Sequence, residues 1–357
     1  MLGWLNRLFS SSVQAPNTVQ ADPAAPVIVT PLLAQTVIPA GAVSRLQEED
    51  INANFNGWLF EQTDYSGMFI NPTEQAILDE LERLVRSKQA GAGLVRRMPG
   101  VIPQLLQSLR SENFSGAELS RKISNDIVLV AEVIRLANSA LSSSSETITS
   151  IQHAILVLGQ GGLRQLITGV AFRPIIDIRS GRATSLAAPR IWYQSELCAL
   201  ACHQLARDEG LNVFEAFLAG LIQNVGLIVS LRIVDQIAGV DQAVGSASFC
   251  NVLVSYARTL SCSIGREWNF PEDVIRAVEE QASTASKAVL SPMGRALKIA
   301  DYLSKARTLS LNDRLDVTPQ YTRGLSDSAL RCMAMLSSRT IDESVASPAS
   351  SVGIARA

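Results

Sequence analysis

Apolar positions recur along most of this chain at the three- and four-residue spacing of a helix face, and no alternating run competes with that period. Ile77, Leu78, Leu81, Leu84 and Val85 make one such stripe, on a helix that Asn71-Pro72-Thr73-Glu74 opens, because proline suits a first turn. Gly91 and Gly93 are expected to end it. Met98-Pro99-Gly100 leads into a helix over 101–109, and Ser115 caps another over 116–123, with Glu118 completing a capping box. Asp126 starts IVLVAEVIRLANS, in which Ile127, Val130, Ile134 and Ala137 share a face. Ser150 precedes IQHAILVLG, which stops at Gly159. Long helices are predicted over 191–206, 213–229 and about 249–263. Pro271 and Pro292 open two more, over 272–281 and 293–306, and a last one runs over about 327–337. The pattern predicts an all-α protein built as a helical bundle.

Proline and serine set the outer limits. Residues 1–45, with prolines at 16, 23, 26, 31 and 39, lack a helical period and read as a disordered tail. The β-branched run from Val27 to Val29 is hemmed in by Pro26 and Pro31, which argues against a paired strand. Residues 46–93 form an N-terminal arm and helix, with Phe55, Trp58, Leu59, Phe60 and Tyr65 spaced as anchors onto the main body. The main domain takes 94–286, further helices at 287–340 complete the bundle, and the Ser/Ala-rich stretch 341–357 is expected to be disordered.

Composition narrows the function classes. With 47% hydrophobic and 18% charged residues, the 357-residue chain can bury a sizeable core. A net charge of −2 and a pI near 5.9 give no domain-wide basic field, so direct binding of nucleic acid is not expected. The apolar run 213–234 contains Glu215, Gln223, Asn224 and Arg232 and reads as a core helix pair, not a membrane span. The opening MLGWLNRLFSSS lacks the basic start and long apolar run of a secretory signal. Its Leu2, Leu5, Leu8 and Phe9 can line one face, which offers at most a weak contact with a membrane or a partner. Five cysteines without a CxxC pair suit a reducing cytoplasm. Cys198 and Cys202, four apart beside His203, read as buried small hydrophobes before metal ligands. His153, the other of the two histidines, reads with His203 as a surface or satisfied core residue. Gly159-Gln160-Gly161-Gly162 lacks the preceding strand of a dinucleotide loop and reads as a turn. Ser142 to Ser145 read as a solvated loop.

Three motifs in series carry a resemblance: MPGVIPQLLQSL, then AELSRKISNDIVLVAEVIRLANSA, then ITSIQHAILVLGQGGLRQLI, with GLIQNVG following. In that order they resemble the HDOD family, the HD-related output domain of bacterial signalling proteins, over about 94–286 with a weaker continuation to about 306. The resemblance implies that GLIQNVG stands where HD-type phosphohydrolases carry a metal-binding His-Asp doublet, and here those positions hold Gln223 and Asn224. It places Gln194 where a first histidine would stand and Asp301 at the last acidic position, and the segment around Gln281, where histidines often occur, has none. Amides offer neither an anionic oxygen nor an imidazole lone pair, so Asp301 alone would coordinate strongly. The implied reading is a pseudo-enzyme with no catalytic, cofactor or metal residues, whose Gln194, Gln223, Asn224 and Asp301 form a buried hydrogen-bond cluster. The function implied is a cytoplasmic, non-catalytic regulator that binds a protein partner. The alternatives left open are a phosphohydrolase acting on cyclic nucleotides through an unorthodox site and a nucleotide-sensing module without turnover.

Overall fold

A computed structural model of the protein describes residues 43–62, 67–87, 181–239, 244–282 and 289–338, with single positions between 130 and 168. The helices expected over 101–109 and 116–123, residues 1–42 of the expected N-terminal tail, the stretch 341–357, Tyr65, Gly91, Gly93 and Ser142 to Ser145 lie outside those residues, whereas Ser44 and Arg45, assigned to that tail, cap and begin a helix. Every regular element among the described residues is helical: α1 Arg45–Leu59, α2 Pro72–Arg86, α3 Arg182–Glu209, α4 Val213–Ile222, α5 Val225–Ile237, α6 Ala247–Glu267, α7 Glu272–Glu280, α8 Pro292–Leu311, α9 Pro319–Thr322 and α10 Asp327–Ser338.

The centre is α3, which packs against α4, α5, α8 and α10. It begins nine residues before the expected start at 191 and runs through Pro189, which lacks the N–H that would bond to Ser185. What starts it so early is a cap from elsewhere in the chain. The Asp235 carboxylate, on α5, accepts from the backbone N–H of Ala183 at 2.7 Å and of Thr184 at 3.1 Å. Two first-turn donors that have no partner within the helix are thereby satisfied.

The run 213–234 is a pair of helices, as its polar residues suggested, so the long helix expected over 213–229 is divided. It breaks at Gln223-Asn224, where Asn224 adopts φ −102° and ψ 4° and the next helix starts at Val225. A side-chain contact holds the break. The Ser261 hydroxyl, on α6, donates to the Gln223 carbonyl at 2.8 Å and accepts from the Gly226 N–H at 2.8 Å. Glycines on either side let both halves approach their neighbours closely: a Cβ at Gly220 would lie 2.7 Å from the Ala199 backbone of α3, and one at Gly226 would lie 1.9 Å from the Ala257 carbonyl oxygen of α6. Taken as one run, Val213–Ile237 is long and apolar enough to cross a membrane, and 89% of its most apolar window is buried inside the protein.

The N-terminal arm is more regular than its scattered aromatics suggest. Ser44 and Gln47 cap α1 reciprocally, and Ile51, Phe55 and Leu59, one turn apart, bury the same face. Burial of each such side chain stabilises by roughly 1.5–3 kcal/mol, which fastens α1 to α8. Trp58 and Phe60 pack at the edge of this core, and the Arg190 guanidinium lies 4.8 Å from the Trp58 ring centre.

α2 starts at Pro72 as expected, with Ile77, Leu78 and Leu81 buried and Leu84 and Val85 half-buried, but it ends at Arg86 with an extended Ser87, before either glycine. Glu74 locks it to the bundle. One carboxylate oxygen accepts from the N–H groups of Gly245 and Ser246, at 2.8 and 2.7 Å; the other accepts from the Ser246 hydroxyl at 2.7 Å and from the Asn71 N–H at 2.9 Å. Of the face expected on the helix opened by Asp126, Val130 and Ile134 are half-buried, and Val133, which the reading left off that face, is fully buried.

Candidate functional site

The helix break points two amide side chains inward, and the residues singled out in the sequence meet there. Gln194 extends from α3, Gln223 and Asn224 from the α4–α5 break, and Asp301 from α8; Gln194 and Gln223 are at most 1% exposed and Asp301 is 8% exposed. Asp301 is the hub. Its Oδ1 accepts from Gln194 Nε2 at 2.9 Å and from Gln223 Nε2 at 3.0 Å. Asn224 Nδ2 donates onward to Gln194 Oε1 at 2.6 Å and to the Ser195 hydroxyl at 3.1 Å, while Gln194 also donates to the Ser304 hydroxyl at 2.8 Å. Gln223 further reaches the Cys198 sulfur at 3.0 Å.

A carboxylate oxygen only accepts, so each amide turned toward it must present its N–H group. The residue types decide what the site can hold. A divalent cation needs several anionic or imidazole lone pairs aimed at one point, and here the side chains bonded to Asp301 are two neutral amides and an ammonium. One acceptor is left over: Gln223 Oε1 is buried with no hydrogen-bond partner. A single neutral amide oxygen replaces little of a metal's hydration shell, so the donor set does not fit a divalent ion.

Three further side chains complete the cluster, and sequence reasoning missed all of them. Lys305 Nζ lies 2.6 Å from Asp301 Oδ2 and 2.7 Å from Asn52 Oδ1, and Arg258 stands 3.8 Å from the same carboxylate oxygen while bonding the Gln281 carbonyl. The four-residue spacing of Asp301 and Lys305 on one helix was the available signal; nothing in the sequence links Asn52 to either. Burial opposes ionisation of Asp301, but the charges of Lys305 and then Arg258 outweigh it and hold the carboxyl below its ordinary value. Burial pushes the neighbouring Cys198 thiol well above its usual range, followed by its hydrogen bond with Cys202. That keeps the thiol protonated and a poor nucleophile. All five cysteines are free and buried.

The other candidates lie apart. His153 is half-buried and its backbone N–H bonds the Ser150 hydroxyl at 3.1 Å, an N-cap contact from the serine that precedes this segment. Gly159 has φ +67°, the conformation of a residue that ends a helix. Among the described residues no group of three His, Cys, Asp or Glu side chains could hold a metal ion. An open surface cleft between α2 and α5, lined by Asp79, Glu80, Arg83 and Gln236, shares no residue with the cluster.

Known proteins agree with this architecture. An HDOD domain protein of unknown function from Geobacter sulfurreducens has a similar structure, with 20% identity and a TM-score of 0.52 over 73% of this chain and 95% of that one. A provisionally named metal-dependent phosphohydrolase from Shewanella amazonensis SB2B gives 19% identity and a TM-score of 0.50, covering 74% of this chain and all of that one. A provisionally named signal transduction protein from Marinobacter aquaeolei VT8 gives 17% identity and 0.50, covering 77% and 69%. At such identities the likeness concerns the fold. An uncharacterized protein of Treponema pallidum is 19% identical over 197 residues, and the match spans 37% of that protein's length. Residues 95–284, just over half the chain, match the HDOD domain, which takes in Gln194, Gln223 and Asn224 and stops short of Asp301 and Lys305. The chain belongs to the HDOD domain family.

Proposed function

We propose that this protein is a non-catalytic regulator in a bacterial signalling pathway, acting in the cytoplasm without a cofactor through contacts between its HDOD domain and a protein partner. The observation that carries the reading is the make-up of the cluster: around the carboxylate that a metal would need stand the Gln194 and Gln223 amides and the Lys305 ammonium, and among the described residues no group of three His, Cys, Asp or Glu side chains gathers there. A hydrolase of this architecture would need a complete, preorganised ligand set with one open position, and this cluster offers a carboxylate whose two oxygens already accept from Gln194, Gln223 and Lys305. The family and the signalling name given to the Marinobacter structure support the regulatory half of the proposal. Partner binding by exposed surface fits a domain whose former reaction centre is closed by its own side chains.

The test is a phosphodiesterase assay with manganese on the wild-type chain and on the double variant Gln223→His, Asn224→Asp. Neither is expected to turn over, because Gln194 and the histidine-free segment around Gln281 remain. Metal-dependent turnover by wild type would sink the non-catalytic reading. Affinity capture from the source cells, followed by loss of a specific partner on substitution of exposed HDOD residues, would support it.

A further inference from the structure

One buried group among the described residues is a lysine. Lys305 has a side chain only 10% exposed, yet its ammonium lies among ligands in the manner of a bound ion. Asp301 Oδ2 stands at 2.6 Å, Asn52 Oδ1 at 2.7 Å, and the face of Phe55 at 5.6 Å from the ring centre. An anionic oxygen, a neutral oxygen and an aromatic face together replace the water that a buried ammonium gives up. We infer that Lys305 is a resident internal cation, which neutralises the carboxylate from which a divalent ion would otherwise draw its charge and at the same time fastens α1 to the amide cluster.

Two features give this more content than a buried ion pair. The first is stoichiometric: each oxygen of Asp301 is committed, Oδ1 to two amides and Oδ2 to Lys305, with Arg258 nearby, so an incoming metal would have to displace an ammonium against a second positive charge. The second is topological. Asn52 and Phe55 lie on α1 and Lys305 on α8, both outside the matched HDOD span, while Gln194, Gln223 and Asn224 lie inside it. The flanking segments therefore supply the buried Asp301–Lys305 pair with Asn52, and the domain supplies Gln194, Gln223, Asn224 and the more distant Arg258. Arg258 approaches the same carboxylate oxygen as the ammonium, at 3.8 Å, and Glu48 on α1 is engaged with Lys298 at 2.8 Å.

Exclusion of metal is shared with the non-catalytic reading, and the experiment keeps the two apart. Urea unfolding is measured on the full chain for wild type, Asp301→Asn, Lys305→Met and the double variant, with manganese present and absent, and hydrogen exchange is followed across α1. Each single change is expected to lower the unfolding midpoint, and the double variant to regain at least about half of the Lys305→Met loss, because it removes the stranded charge. Lys305→Met should also raise exchange in Arg45–Leu59 more than in α5, and manganese should leave the wild-type midpoint unmoved. If Lys305→Met does not fold while the double variant does, the coupling is established in its strongest form. Additive losses, equal failure of both variants to fold, unchanged protection of α1, or a manganese-induced rise in wild type would overturn the internal-cation role. Turnover in the phosphodiesterase assay would instead overturn the non-catalytic reading and leave the coupling to be judged by the cycle.

Discussion

Glu74 and Asp301 are both buried carboxylates, and the protein satisfies them by opposite means. Around Glu74, at 0% exposure, three of the four donors are backbone N–H groups fixed by the 244–246 loop and by the start of α2. Around Asp301 every donor is a side chain: two amides, an ammonium and, farther off, a guanidinium. Backbone donors cannot turn away, so the first arrangement tolerates no substitute. Side-chain donors can rotate or be exchanged, so the second can drift in chemistry while its helices stay put. The contrast shows where the chemistry around a buried acid can change without a change of fold.

Replacing each acid by its amide probes that difference most strongly. Glu74→Gln should cost about 3 kcal/mol, since the new NH2 group faces donors that cannot move, whereas Asp301→Asn should cost about 2 kcal/mol as its neighbours readjust. Urea unfolding measures both, and equal losses would erase the distinction. Ser261→Ala is a milder change: it removes the hydroxyl that joins the Gln223 carbonyl to the Gly226 N–H, and about 1 kcal/mol should be lost, with increased exchange confined to the α4–α5 break. A global rise in exchange would mean that the break is not held locally. The smallest effect is on acid stability. Because the folded Asp301 carboxyl lies below its ordinary 3.8, its contribution is present above that value and disappears as the pH falls through the lower folded one. Asp301→Asn should therefore flatten the stability curve below about pH 4, and an unchanged slope would show that Lys305 and Arg258 do not favour the ionised acid.

Helix faces were legible in the sequence because their information is local. Ile77, Leu78 and Leu81 sit in the core as their spacing predicts, and Pro271 and Pro292 mark two helix starts. The position of the break at Gln223 was hidden by the very burial of its surroundings. Nearly every side chain from Phe214 to Val234 is inside, so the apolar pattern runs on without registering a lost turn. α1 was obscured for a different reason: attention to its aromatics masked the Ser44–Gln47 cap and the four-residue spacing of Ile51, Phe55 and Leu59. The three amide positions and Asp301 came from motif order, and the structure brings all four together. Lys305 escaped because a lysine on a helix ordinarily reads as solvated, and Asp235 because a cap from 52 residues away leaves no trace near Ala183.

The bond between Lys305 and Asn52 closes a separation of 253 residues, and this sets a timetable for biosynthesis. At about 5–20 residues per second, α1 leaves the ribosome on the order of 10–50 s before its lysine exists. For that interval Ile51, Phe55 and Leu59 have no α8 to cover them, and the nascent arm presents an apolar stripe that a chaperone can hold. The late-made α8 thus decides when α1 can fold, and any delay late in translation lengthens the exposure of α1.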